Sequence, residues 1–294
     1  MDEVALKGII LAGGSGSRLY PATLGACKQL LPIYDKPMVY YPLSVLMLSG
    51  IREVLVISNP QDLPLFERML GDGSSLGMSI RYAVQDAPRG LADAFIVGEE
   101  FLGGSPAMLV LGDNIFYGAG FSGLLKRAVS DNVGCTVFGY QVDHPEAYGV
   151  ARFGPDQCVV EIVEKPELPP SRTAITGLYV YDGEVSQLAR SLEPSPRGEL
   201  EITDLNNCYL REGRLDLVQL PRGFAWLDTG THESMMEAAQ YVRAVEGRQG
   251  LKIGCIEEVA YRQGWIDGEQ LQRLARPLSK TGYGRYLQSL LDPC

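Results

Sequence analysis

The residues best equipped for chemistry lie near the start of the chain. From Leu11 to Lys28 it reads Leu-Ala-Gly-Gly-Ser-Gly-Ser-Arg-Leu-Tyr-Pro-Ala-Thr-Leu-Gly-Ala-Cys-Lys, behind an apolar run from Gly8 to Ala12 of the kind shown by a strand buried on both faces. Gly13, Gly14 and Gly16 fall where that strand would end. Without a Cβ they let the backbone take positive φ and approach a bulky anion with its N–H groups turned inward. Arg18 adds a planar fork suited to phosphate oxygens, and Lys28 a compact point charge. This arrangement suits the gathering of a polyphosphate, with a plain tight turn as the bland alternative. Two familiar phosphate motifs fail on spacing. The dinucleotide fingerprint needs a third glycine where Leu19 stands, and the P-loop needs a Gly-Lys pair that the chain lacks. Asp113 and Asp228 each follow a short apolar segment and offer the hard oxygens that Mg²⁺ takes; by spacing alone they serve equally as helix caps or turn formers.

The loop continues into Lys-Gln-Leu-Leu-Pro at residues 28 to 32 and Lys36-Pro37-Met38. Further along come Leu111-Gly112-Asp113-Asn114, Tyr148-Gly149-Val150, Glu164-Lys165-Pro166 and Thr176-Gly177-Leu178-Tyr179. Gly198-Glu199-Leu200-Glu201-Ile202-Thr203-Asp204 and Trp226-Leu227-Asp228-Thr229-Gly230-Thr231-His232 complete the series. In this order, over residues 8 to about 250, these motifs resemble the sugar-phosphate nucleotidyltransferases, and among them the bacterial glucose-1-phosphate thymidylyltransferases. Ser17 stands where many members carry Thr, with the hydroxyl kept.

The resemblance implies an Mg²⁺-dependent transfer of a thymidylyl group from dTTP to α-D-glucose 1-phosphate, at the head of deoxysugar and rhamnose supply. It implies that Arg18, Lys28, Asp113, Lys165 and Asp228 carry the reaction, with Asp113 and Asp228 holding the metal. The nucleotide would be bound by Leu11, Gly13, Gly14, Ser15, Gly16 and Ser17 in the loop. Arg18, Lys28 and Gln29 follow them, with Gln85 and Gly90 at the base and Asp113 at the phosphates. The sugar phosphate would lie among Asn114, Tyr148, Gly149, Glu164, Lys165, Ile175, Thr176 and Arg197. Read without the resemblance, Gln85 is an exposed loop amide, Glu164 a strand-end carboxylate and Arg197 a solvated loop cation. The chemistry needs no catalytic histidine, because a phosphate nucleophile is already anionic near neutral pH; positioning and charge stabilisation suffice. Only His144 and His232 are present. The same chemistry with UTP or another hexose 1-phosphate is the near alternative. A non-catalytic nucleotide sensor is the distant one, and such a protein would be expected to have lost Lys28, Asp113 or Asp228. The resemblance also implies a homotetramer with a second, inter-subunit site for an inhibitory dTDP-rhamnose. The apolar Met38–Leu48 segment and the C-terminal stretch are the candidate interfaces.

Composition sets the outer bounds. A chain of 294 residues with 46% hydrophobic and 21% charged residues has the make-up of a globular protein with a full core. The net charge of −10 argues against general affinity for nucleic acid or an anionic membrane. The acidic start, Met1-Asp2-Glu3-Val4, and the lack of an apolar run of ~18 residues point to a cytoplasmic protein. Six scattered cysteines without a C-x-x-C pair suggest reduced thiols rather than disulfides or a zinc site.

The elements that must position these residues alternate. Strands are expected at Glu53–Ser58, Ser79–Val84, Ala107–Leu111 and Thr136–Val142, with helices at Met38–Leu48 and Leu91–Phe101. This predicts an α/β fold, a Rossmann-like mixed, mostly parallel sheet flanked by helices, whose ligands sit beyond the carboxyl ends of its strands. From Tyr148 the pattern turns to strands at Val150–Phe153, Cys158–Val163 and Ala174–Tyr181, a smaller sugar-binding part. A helix at Leu205–Arg211 capped by Thr203 or Asp204, a strand at Leu215–Leu220 and a long helix at Thr231–Glu246 complete a core of residues 1–250. Three short helical patterns form an appendage over 251–294, all in one nucleotidyltransferase domain.

Overall fold

The computed structural model describes residues 5–14 and 16–292. Its strands are β1 (Lys7–Leu11), β2 (Pro32–Ile33), β3 (Lys36–Pro37), β4 (Glu53–Ser58), β5 (Ser79–Val84), β6 (Ala107–Leu111) and β7 (Asn114–Tyr117). β8 (Cys135–Gln141), β9 (Gly149–Phe153), β10 (Val159–Glu164), β11 (Thr173–Tyr181), β12 (Leu215–Gln219) and β13 (Ala225–Asp228) follow. A nine-stranded sheet runs β10-β9-β11-β6-β1-β4-β5, with β8 also on β11 and β12 on β8. β1, β4, β5 and β6 are mutually parallel, as are β8 and β12, while β11 runs antiparallel to β6, β8 and β9. The sheet is therefore mixed and mostly parallel.

Both faces of the central strands are apolar, so each strand reads as a continuous run and not as an alternation. Ile10, Val54, Val56, Met108, Val110, Leu178 and Val180 belong to one core, and their sequence neighbours Ile9, Leu55, Ile57, Leu109, Tyr179 and Tyr181 to the other. On the first face lies helix α1 (Tyr40–Leu48), buried from Tyr41 through Met47, as expected of a helix apolar all round. The surface that the sequence offers here as a subunit interface is thus already covered within the chain. The expected helix over Leu91–Phe101 is two short ones, α3 (Asp93–Val97) and α4 (Glu99–Leu102), after α2 (Leu63–Leu70). They meet at Gly98, where a Cβ would lie 2.9 Å from the Ala94 carbonyl and 3.2 Å from Ile9.

After α5 (Phe121–Ser130) and α6 (Val185–Arg190) comes α7 (Ile202–Arg211), with Glu201 as N-cap residue and no side-chain cap bond. Neither Thr203 nor Asp204 caps it: both lie inside its first turn, and the Thr203 hydroxyl is engaged elsewhere. α8 (His232–Gln249) opens with a capping box between Thr231 and Ser234 and ends at Gly250 in the left-handed conformation. α9 (Ile256–Arg262), α10 (Gly268–Ala275) and α11 (Gly282–Ser289) form the C-terminal appendage. Their Ile256, Ala260, Leu271 and Leu287 share one core with Leu46 and Met47 of α1.

A closed ring of charges joins the β2–β3 turn to the end of α8. Lys36 Nζ lies 2.6 Å from Asp35 and 3.0 Å from Glu246; Lys252 lies 2.6 Å from Glu246 and pairs with Asp35. The Lys36 side chain is 2% exposed and that of Glu246 5%. Among the described residues no helix is long and apolar enough to cross a membrane.

Candidate active site

Two neighbouring parallel strands, β1 and β6, end side by side, tied by the Gly112 amide donating to the Leu11 carbonyl at 2.9 Å. The glycine loop leaves from one and Asp113 from the other. Gly14 (φ 113°) and Gly16 (φ 57°) take left-handed backbone, and a Cβ on Gly16 would press on Thr23 at 3.2 Å. Thr23 in turn donates to the Gly16 carbonyl at 2.8 Å, holding the loop's shape. Asp228 arrives from the other end of the sequence on β13, which pairs antiparallel with β7 so that Asp228 stands opposite Asn114. Thr229 fastens the junction, its amide and hydroxyl donating to the Asp113 carbonyl at 3.2 and 2.8 Å.

These elements enclose a two-part cleft. One part, about 420 Å³, is lined by Gly13, Gly14, Gly16, Ser17, Arg18, Lys28, Gln29 and Asp113, together with Pro88. The other, about 320 Å³, is lined by Asn114, Tyr148, Gly149, Glu164, Lys165, Ile175, Arg197 and Asp228, among others. Arg18, Lys28 and Asp113 line both. Two cations, Arg18 and Lys28, and two carboxylates, Asp113 and Glu199, thus stand where the halves join, with Asp228 and Lys165 in the second half.

Lys28 forms an ion pair with Asp113. Burial first, and the charge of Asp113 second, push the Asp228 carboxyl up to about 6 against the opposing pull of Lys28 and Arg18. Burial, then the same two carboxylates, raise the Tyr148 hydroxyl. Two carboxylates held this close suit a hard divalent ion that completes its shell with water and phosphate oxygens. Among the described residues no group of three or more His, Cys, Asp or Glu forms a dedicated metal cage. Cys27, beside Lys28, is a packed thiol: burial and then Asp62 push it up to about 12.

In the second half Glu164 is oriented by Thr203, whose hydroxyl donates to it at 2.6 Å, and its other oxygen lies 3.2 Å from Lys165. Lys165 holds φ 40°, a conformation that costs a non-glycine residue energy and clusters at functional sites. The Arg197 guanidinium is held by Glu201 at 2.8 and 3.0 Å, with Glu199 and Glu164 at 3.6 and 3.8 Å. Asn114 is a buried hub, donating to Asp113 at 2.8 Å and accepting from Trp226 at 2.6 Å and from the Gly177 amide at 3.2 Å.

Not every residue named from the sequence reaches the cleft wall. The Leu11 carbonyl is spent on Gly112, and its side chain is buried in the core behind the loop. Thr176 lies on β11 between Ile175 and Gly177, which line the cleft; strand alternation turns its fully buried side chain to the opposite face. Ser15 lies outside the described residues. Gln85 and Gly90 stand at the edge of the glycine-loop half, the Gln85 carbonyl oxygen 3.3 Å from where a Cβ on Gly13 would be. Sequence reasoning missed Thr203, Glu201 and Trp226 as site residues, although each sits within a motif it quoted.

Comparison with known proteins agrees with this geometry. The nucleotidyl transferase family model matches residues 7–245. The chain is 60% identical over 284 residues to a glucose-1-phosphate thymidylyltransferase of Xanthomonas campestris, covering 97% of this chain and 96% of that one. It is 55% identical over 287 residues to the protein of that name from Mycobacterium tuberculosis, covering 98% and 99%. A Bacillus anthracis structure described as a glucose-1-phosphate thymidylyltransferase in complex with a sucrose superposes with TM-score 0.75 at 40% identity, covering 81% of this chain and 96% of that chain. A UDP-glucose pyrophosphorylase structure shares the fold, with TM-score 0.72 at 23% identity over 83% of this chain and 99% of that one. The glycine loop, the paired carboxylates and this similarity along nearly the whole chain agree: the chain belongs to the nucleotidyl transferase family, among its glucose-1-phosphate thymidylyltransferases.

Proposed function

We propose that this enzyme joins dTTP and α-D-glucose 1-phosphate into dTDP-glucose and pyrophosphate. The observation that carries the reading is the shared wall of the two half-clefts, where Arg18, Lys28 and Asp113 face both. A phosphate oxygen of the sugar phosphate attacks the α-phosphorus of the nucleotide. A new P–O bond forms there, the bond to the bridging oxygen breaks, and pyrophosphate leaves with both electrons of that bond. No proton has to move, which accords with a site built of cations and carboxylates. Arg18 and Lys28 hold the triphosphate, Lys165 the sugar phosphate, and Glu164, oriented by Thr203, accepts from a sugar hydroxyl. Arg197 joins the phosphate contacts by exchanging part of its hold on Glu201. The family uses a divalent metal; we take it to be Mg²⁺, held by Asp113 and Asp228, where it supplies Lewis-acid charge neutralisation. A matrix of dTTP, UTP and other nucleotides against several hexose 1-phosphates, read by pyrophosphate release, tests the assignment. The highest kcat/KM is expected for dTTP with glucose 1-phosphate, and a clear preference for another pair would replace it.

We also infer a cytoplasmic homotetramer made of single-domain subunits, supplying dTDP-rhamnose synthesis and inhibited by that product. A separate cleft of about 490 Å³, lined by Phe116, Tyr117, Phe121, Lys126, Lys252 and Arg262, supports the second site. Aromatic faces beside cations are what a nucleotide sugar uses. Hyperbolic kinetics unaffected by dTDP-rhamnose would remove that site, and a monomer mass by light scattering the tetramer.

A further inference from the structure

Gln85 follows directly on β5, and its amide is not free to turn. Its Nε2 donates to Asp93 at 2.8 Å and leans at 3.4 Å on the Gly90 carbonyl. Gln85 is 8% exposed and Asp93, the first residue of α3, only 3%. An ionised carboxylate only accepts hydrogen bonds, so the atom of the amide that faces Asp93 has to be the nitrogen. Arg89 holds that carboxylate in place, with its Nε 3.3 Å from Asp93 and its Nη1 2.6 Å from Asp86. With both amide hydrogens drawn inward, Gln85 presents its carbonyl oxygen at the edge of the nucleotide half-cleft beside Gly13.

We propose that Asp93 is the positioning residue for base selection. By locking the Gln85 amide oxygen outward, it makes the cleft offer a fixed acceptor to the ring N–H of a pyrimidine dione. Cytosine carries an acceptor at the same ring position, so it meets lone pair with lone pair and is rejected. An unlocked glutamine would turn over and accommodate either base, because its oxygen and nitrogen are nearly the same size. The inference rests on the reading of Gln85 as the base contact, and it assigns the specificity of that contact to a buried residue outside the cleft lining.

The test is the ratio of kcat/KM for dTTP over dCTP, with glucose 1-phosphate as the second substrate, in wild type, Asp93→Asn, Asp93→Ser and Gln85→Leu. The ratio is unaffected by the fraction of enzyme that is folded, so partial destabilisation does not blur it. Asp93→Asn keeps the size but can donate to the glutamine oxygen, which permits the inverted amide. In both Asp93 variants the ratio should fall by about 10-fold or more, the effect of exchanging a paired for an unpaired polar contact, while KM for glucose 1-phosphate stays at its wild-type value. If Gln85→Leu lowers the ratio but both Asp93 variants keep it, the lock is wrong and the base contact stands. If Gln85→Leu leaves the ratio unchanged, the base contact itself is wrong and the lock falls with it. A KM for glucose 1-phosphate that rises in step with that for dTTP would show general loosening of the site and would likewise overturn the assignment.

Discussion

Asp228 stands directly opposite Asn114 across the β7–β13 ribbon, and so beside Asp113, the residue before Asn114. Two carboxylates 115 positions apart are thereby fixed by backbone register rather than by a flexible loop. Asp113→Asn and Asp228→Asn retain size and most hydrogen bonding but remove an anionic ligand. Each should lower turnover at least ~100-fold, since a metal's charge-stabilising role is worth several kcal/mol. Pyrophosphate release across a Mg²⁺ titration, with melting curves to show that the fold persists, is the measurement. Near-normal turnover at low Mg²⁺ in either variant would sink the shared-metal assignment.

The strained titration of Asp228 gives a second expectation, for the metal-free protein. Its carboxyl sits at about 6 in the folded chain, against about 3.9 for an unfolded aspartate. Between those values the folded chain keeps a proton that the unfolded chain has released. Stability from this group is therefore fully present below about pH 4 and is lost as pH rises through 6. Asp228→Asn has no charge to bury, so in EDTA at pH 7 it should be more stable than wild type by up to about 3 kcal/mol, with the difference vanishing near pH 4. Chemical denaturation at the two pH values measures it. A turn-forming role would give the opposite sign, a loss of stability in the variant.

Lys165 should matter to one substrate only. On the proposed role, replacement by Ala removes a charge-assisted contact to the sugar phosphate, worth roughly 1.5–3 kcal/mol, or about 10- to 150-fold in kcat/KM for glucose 1-phosphate. Binding of dTTP, measured by calorimetry without the sugar phosphate, should be unaltered. An equal loss in both would show the role misassigned.

The ring of Asp35, Lys36, Glu246 and Lys252 should be costly to break and cheap to replace. Glu246→Ala strands the buried Lys36 with one partner fewer, an expected loss of about 3–5 kcal/mol. The paired change Lys36→Met with Glu246→Leu removes both charges and should recover most of that loss. Urea unfolding of the two variants decides it; equal losses would mean that the ring contributes through packing rather than charge.

Much of this was legible in the sequence because it is local. The central strands at 53–58, 79–84 and 107–111 appear where apolar runs between turn residues place them, and the motif residues Gly13, Arg18, Lys28, Asp113, Lys165 and Asp228 converge on one cleft. What escaped is non-local. Nothing near Thr203 distinguishes a helix cap from the donor that orients Glu164, because its partner is 39 residues away. Gly98, at the break between α3 and α4, leaves no room for a Cβ beside Ile9 and Leu55, neighbours only in three dimensions. The Gln85–Asp93 contact spans a loop whose shape depends on residue 200.

That dependence has a practical consequence. Leu200 donates its amide to the Arg89 carbonyl at 2.7 Å and accepts from the Ala92 amide at 3.2 Å, while a Cβ on Gly90 would strike its carbonyl at 2.3 Å. The loop after β5 is thus stitched by main-chain hydrogen bonds to the segment that carries Arg197 and Glu201. Alanine scanning deletes side chains and leaves such a stitch whole, so a scan across residues 85–93 and 197–203 will understate the coupling of the two segments. Only changes that act on the backbone, such as proline at Leu200 or any side chain at Gly90, reach the seam between them.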